Sequence, residues 1–238
     1  MMFHRITRFF RLFPVLAGVL AAPAGTALAG PGSTIALPVE SGGAFAVPVM
    51  SMKDLRFRST IRQQYDFSCG SAALATLLTY HYNYPTSEQE IFREMYERGD
   101  KAKIKKEGFS LLDIKTYLEA RGFHADGFVA DVEQLAAARI PAIALVKEHG
   151  YHHFVVIKGL RQGRVLVGDP SAGTRAVPYP QFQDMWVNRI LFVIRNKKEL
   201  AKFDSDGDWR WVPRAPISDG VYRGTTDLAL PKRGPSDF

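Results

Sequence analysis

Apolar and polar positions follow two different periods along this chain, and the change falls near its middle. Ala73, Leu74, Leu77 and Leu78 form a stripe at helical spacing. They predict a helix from Cys69 to about Tyr82, with Ser68 placed to cap it. Ser87 with Glu90 three residues on has the form of a capping box, followed by Ile91, Met95 and a stop at Gly99. Ser110, with Asp113 at the box position, opens a third helix that ends at Gly122, and Asp131 opens a short fourth one through Ala138.

From residue 140 onward the runs are rich in β-branched residues and punctuated by Gly and Pro. They predict strands at 140–146, 153–159, 164–168 and 189–194, with the middle two joined across Arg161-Gln162-Gly163 as a hairpin. Helices first and antiparallel strands afterwards mean an α+β fold, not a doubly wound sheet.

The flanks differ from this compact region, which spans 60–196. Residues 30–59 are rich in Gly, Pro and Ser and read as an N-terminal arm with one short strand at 44–49. Residues 197–238, with Pro213, Pro216, Gly220, Gly224, Pro231 and Pro235, read as an irregular tail. Residues 1–29 have a basic start (His4, Arg5, Arg8, Arg11), an apolar stretch at 13–22 and a small-x-small end at Ala27-Leu28-Ala29. That order predicts a signal peptide cleaved before Gly30 and a periplasmic mature protein. Pro14, Gly18, Pro23 and Gly25 interrupt the apolar stretch, so no stable membrane insertion is expected after cleavage.

Composition changes this picture little. The first 29 residues hold three of the 31 Lys+Arg and none of the 24 Asp+Glu, so the formal charge of +7 falls to +4 in the mature chain. The basic excess is partly a property of the signal segment, and no basic cluster is interleaved with aromatics, so nucleic acid is not an expected partner.

A single cysteine in an exported chain has no intramolecular partner for a disulfide. It is either a small buried hydrophobe or a thiol kept for chemistry. Cys69 opens a predicted helix, where the amides at the helix N-terminus favour a thiolate, and Gly70 beside it leaves the sulfur approachable. Acyl transfer also needs a base and a group that orients it. His152 and His153 open one strand of the predicted hairpin and Asp169 ends the other. In a hairpin centred on Gln162, residue 155 faces 169 and His153 is the same-face diagonal neighbour of Asp169. A hairpin centred between Gln162 and Gly163 slips by one and gives Asp169 to His152 instead. The pattern alone leaves both open.

The segment from Gln63 through Cys69-Gly70, then His153-Phe154-Val155-Val156, then Asp169-Pro170, resembles the bacteriocin-processing peptidase family, whose members cut after double-glycine leaders. The resemblance covers about residues 60–196. It implies a papain-like fold with Cys69 as nucleophile, His153 as base, Asp169 as the group that orients the imidazole and Gln63, with Gln64 as its neighbour and rival, as oxyanion donor. It implies a polypeptide substrate and neither cofactor nor metal. The chain carries no transporter, and its free-standing, exported form is more similar to periplasmic peptidases found with functional-amyloid or surface-protein secretion systems. A secreted or amyloid subunit, and the secretion machinery itself, are then the expected partners. Ser41-Gly42-Gly43-Ala44 has the double-glycine form and is a candidate self-trimming site.

Two other functions fit the same residues: an acyl or amide transferase on the same site, and a non-catalytic binding or assembly module. Asp204-Ser205-Asp206-Gly207-Asp208 has the look of a calcium loop, but position twelve is Ala215, where an EF-hand needs Glu, so a polar turn is expected. Trp209 and Trp211 are expected to pack the tail onto the domain, and His81, His124 and His149 to be structural or exposed.

Overall fold

A computed structural model describes residues 33–39 and 43–212; residues 1–32, which include the expected signal peptide, residues 40–42 and the tail beyond 212 lie outside it. The chain divides after Val49 into two units. The first holds an antiparallel pair, β1 (Ser33–Val39) and β2 (Gly43–Val49), so the arm expected to carry one strand carries two. Pro38 removes a ladder donor from the missed strand, which hides it from a pattern search. The Gly43–Ala44 peptide falls within β2, opposite Val39 and Pro38.

The second unit begins with α1 (Met52–Arg56) and α2 (Cys69–Thr76), which runs on through a π-helical turn, Leu77–His81. Ser68 precedes α2 but does not cap it with its side chain. Its hydroxyl is spent inside a tight turn, donating to Tyr65 O at 2.9 Å and accepting from Tyr65 N at 3.1 Å. The first amides of α2 are therefore unclaimed by a capping side chain. α3 (Glu88–Arg98) is capped by Ser87, whose hydroxyl accepts from Glu90 N–H; α5 (Leu111–Glu119) has the complete capping box of Ser110 and Asp113. α4 (Lys101–Glu107) was not legible because Ile104 is its one buried side chain.

β3 (Ala125–Val129), α6 (Val132–Ala138), β4 (Ala142–Glu148), β5 (Tyr151–Arg161), β6 (Arg164–Asp169), β7 (Gly173–Pro178), α7 (Tyr179–Met185) and β8 (Trp186–Ile194) follow. The six strands form one antiparallel sheet in the order β3-β8-β4-β5-β6-β7, and the fold is α+β as expected. One core lies between the sheet and helices α2, α3 and α5, with Leu74, Leu77, Ile91, Ile114, Phe154 and Val156 in it. The other lies beneath α6 and α7 and holds Leu135, Val155, Ile157, Val167 and Phe182. α8 (Asp206–Arg210) is the last helix of the described residues.

The β5–β6 hairpin combines the two registers that the sequence left open. Gln162 and Gly163 form a two-residue turn and Arg161 pairs with Arg164, the alternative that favours His152. A bulge between Ile157 and Gly159 then shifts the pairing, so that Ile157 meets Val167 and Val156 meets Gly168.

Candidate active site

Cys69 is 7% exposed, at the start of α2 and against the inner face of β5. Burial pushes its thiol above the ordinary value of 9.0, and the charge of Asp169 adds to that; the backbone N–H groups of Phe154 and Gly70, donating to the sulfur, work the other way. Desolvation therefore outweighs the helix-terminus amides that the sequence offered as activation. A thiolate here needs a proton acceptor beside it. The Phe154 amide places the sulfur next to the main chain of His153.

His153 Nε2 lies 3.2 Å from Asp169 Oδ2, and its side chain is 16% exposed. An ionised Asp169 accepts from Nε2–H, which leaves Nδ1 as the basic nitrogen. His152 is exposed and pairs across the strands with Lys147. Asp169 is 1% exposed. Its burial favours the neutral acid, but donors to both oxygens overcome that and hold its carboxyl well below the usual carboxylate range, His153 first and Ser171 next. Ser171 donates from N at 2.8 Å and from Oγ at 2.7 Å to Oδ1, an Asx-type turn that Asp169-Pro170-Ser171 encodes locally.

Two further residues complete this cluster and were missed in the sequence. Arg175 on β7 donates to Asp169 Oδ2 at 3.2 Å and grips Glu148 at 2.9 and 2.5 Å, while Glu148 Oε2 stands 3.9 Å from His153 Nε2. Nothing local marks either one, because β7 itself was not legible and Glu148 ends a strand next to ordinary turn residues. Glu148, His153 and Asp169 bring ligand-type atoms within 4.8 Å of one another, as a metal site would, but the Arg175 guanidinium already bridges the two carboxylates.

Gln63 is half-buried. Its Nε2 donates to Tyr65 O at 3.1 Å and to Asp66 O at 3.5 Å, and its buried Oε1 has no hydrogen-bond partner among the described residues. Gln64 points away, its Oε1 accepting from Gln89 at 3.0 Å. A concavity of about 1060 Å³, lined by Arg161, Arg164, Trp209 and Arg210, contains none of these residues. In the segment expected to be a polar turn, Asp204 and Asp206 pair with Arg161, and Asp208 with Lys158. His81 is buried, and His124 and His149 are exposed.

The profile of the Peptidase C39 family matches residues 58–198. The probable functional amyloid protease FapD of Pseudomonas aeruginosa is 37% identical over 163 residues, covering 68% of this chain and 72% of that protein. The protein of the same name from Pseudomonas fluorescens is 36% identical over 170 residues, 70% of this chain and 75% of its own. The peptidase domain of Streptococcus ComA, a transporter of a quorum-sensing pathway, superposes with a TM-score of 0.48 at 22% identity, over 57% of this chain and 96% of that domain.

Proposed function

Because this chain belongs to the peptidase C39 family and is a cysteine peptidase, we propose that Cys69, His153, Asp169 and Gln63 form its catalytic site. The observation that carries this reading is the 3.2 Å contact between His153 and a buried Asp169, next to the strand residue whose amide donates to Cys69.

In the proposed cycle His153 Nδ1 takes the Cys69 proton as the sulfur attacks the scissile carbonyl carbon. The C–S bond forms, the carbonyl π pair moves to oxygen, and the Cys69 N–H with Gln63 Nε2 receives that oxyanion. Of the two bonds Gln63 Nε2 makes in the free protein, the one to Asp66 O is the longer and the readier to be exchanged for substrate. Collapse breaks the C–N bond, and the imidazolium returns its proton to the leaving amine. A water molecule, deprotonated by His153, then adds to the thioester; collapse breaks the C–S bond, releases the acid, and the imidazolium returns its proton to the Cys69 sulfur.

The substrate in this reading is a secreted or surface polypeptide cut at a Gly-Gly-type site in the periplasm. Three features support it: the signal-like order of residues 1–29, the motif resemblance, and two relatives named as probable functional amyloid proteases. Among the described residues no helix is long and apolar enough to cross a membrane.

The test is to incubate the mature protein and its Cys69→Ala variant with Gly-Gly-containing peptides, with and without a free amine, and to weigh the products. Hydrolysis lost in the variant supports the proposal. Amine-capped products in place of acids assign the site to transfer, and equal cleavage by the variant removes Cys69 from the chemistry.

A further inference from the structure

The turn between β5 and β6, taken alone, puts the wrong histidine beside Asp169. Gln162 and Gly163 have φ values of 50° and 69°, a mirror-image two-residue turn that pairs Arg161 with Arg164. Continued without interruption, that register sets Asp169 opposite Val156, on the face of Phe154 and His152. It does not continue. Leu160 pairs with Val165 and Gly159 with Leu166, but Ile157 then pairs with Val167 and Lys158 is left over as the extra residue of the bulge. One residue withdrawn from the ladder brings the Val155 position opposite Asp169 and makes His153 its same-face neighbour.

The apolar pattern of β5 does not select this outcome. Phe154 and Val156 are buried on the helical side and Val155 and Ile157 on the other, and a strand apolar on both faces accepts either register. The feature that distinguishes the two registers is a cation. Lys158 is 0% exposed, and its Nζ donates to Asp208 Oδ1 at 3.0 Å, Ser59 Oγ at 2.7 Å and Ser59 O at 2.9 Å. A buried ammonium must sit where such acceptors are. Space is kept for it: a Cβ on Gly168 would stand 2.9 Å from Thr60 Oγ1 and 3.0 Å from Lys158 Cδ, and one on Gly159 would stand 2.6 Å from Asp204 Oδ1. Asp204 N–H donates to Lys158 O at 2.7 Å, so residues 202–212 run along the bulge as a strap.

Resting on the proposed roles of Cys69, His153 and Asp169, we propose that the Lys158–Asp208 pair is a register pin, a positioning device through which the strap makes Asp169 orient His153 instead of His152. Neither residue of the pair touches the reacting atoms. Their effect passes through the pairing of β5 with β6.

Cys69 is the only cysteine of the chain, so its alkylation rate with iodoacetamide, followed from about pH 5 to about pH 9, reports on the proton acceptor without needing a substrate. Lys158→Met combined with Asp208→Leu removes both charges together, so neither is left buried without its counter-charge, although Ser59 Oγ and O lose their partners in the pair. The variant is expected to melt cooperatively, and its alkylation near neutral pH to fall at least about tenfold, towards that of His153→Ala, with its pH profile moving the same way. Deleting residue 158 from that variant joins Ile157 to Gly159 with Val167 still opposite Ile157, and is expected to restore the rate. A purely structural role gives the reverse order, because the deletion is the larger insult. Should the paired variant fail to fold, Asp208→Asn, which keeps shape and an acceptor but drops the charge, carries the test with an expected loss of about threefold. A wild-type pH–rate profile in a folded variant overturns the pin. If His153→Ala itself alkylates like the wild type, the proposed site is wrong and the pin falls with it.

Discussion

The backbone N–H of Gln63 donates to the carbonyl of Pro170 at 3.1 Å, so the loop that leads into Cys69 is fastened to the turn that leaves Asp169. The helical and sheet halves of the candidate site are thus joined by a main-chain bond that no substitution other than proline at position 63 takes away. Single side chains around it can be changed with the frame kept.

His153→Ala is expected to lower peptide hydrolysis by about 10²-fold or more, whereas His152→Ala changes it less than about threefold. His152 is exposed and faces Lys147, while His153 alone reaches Asp169. Steady-state rates of the two purified variants decide this, and an inactive His152→Ala would move the base by one residue.

Gln63→Ala is expected to reduce kcat by about 10²-fold with little change in KM, because an oxyanion donor acts in the transition state and not on the bound substrate. Gln64→Ala should leave kcat near wild type, since its amide is turned to Gln89. A Gln63 variant that changes only KM would give Gln63 a substrate-binding role.

His81 predicts acid sensitivity of the fold. It is buried, its Nδ1 lies 2.7 Å from Lys202 O, and burial together with nearby Lys158 pushes its pKa from 6.5 down to about 4. The unfolded chain therefore binds the proton more readily, and stability falls as pH drops from 6.5 and finishes falling near 4. The loss amounts to about 3 kcal/mol. Asp169 and Asp208, both held below 3.8, add their own loss only at lower pH. Calorimetric melts of the wild type and His81→Asn should differ in slope across the upper window, and parallel curves would refute the assignment.

Gly173→Ala is expected to destabilise by about 2–4 kcal/mol. Gly173 has φ 81°, and a Cβ there would stand 2.6 Å from Arg56 Cβ and 2.9 Å from Arg56 backbone atoms. Denaturant melts measure it; a change under about 1 kcal/mol would mean that α1 shifts freely.

Much of the fold was legible because its signals are local. Ser110 and Asp113 form the capping box their spacing predicts, the β-branched run expected at 140–146 overlaps β4, which begins two residues later, and the run at 189–194 falls within β8. β3, β7, α4 and α7 were missed because their short segments carry neither a clear period nor a buried stripe. Ser68 looked like a cap and is not one, since its hydroxyl found nearer partners in Tyr65.

At the candidate site the sequence by itself determined the chemical inventory: one thiol at a helix start, two histidines opening a strand, and a carboxylate in an Asp-Pro-Ser turn. It determined too that the strands are antiparallel and that a hairpin joins them. Only the tertiary structure decided which histidine meets the carboxylate. A side chain's face depends on register, register here depends on a bulge, and Lys158 at that bulge is held by Ser59 and Asp208, 99 and 50 residues away along the chain. The thiol followed the same rule. Its place at the helix start was written locally, but its proton affinity was set by burial against β5, a quantity that exists only once the sheet has closed over it.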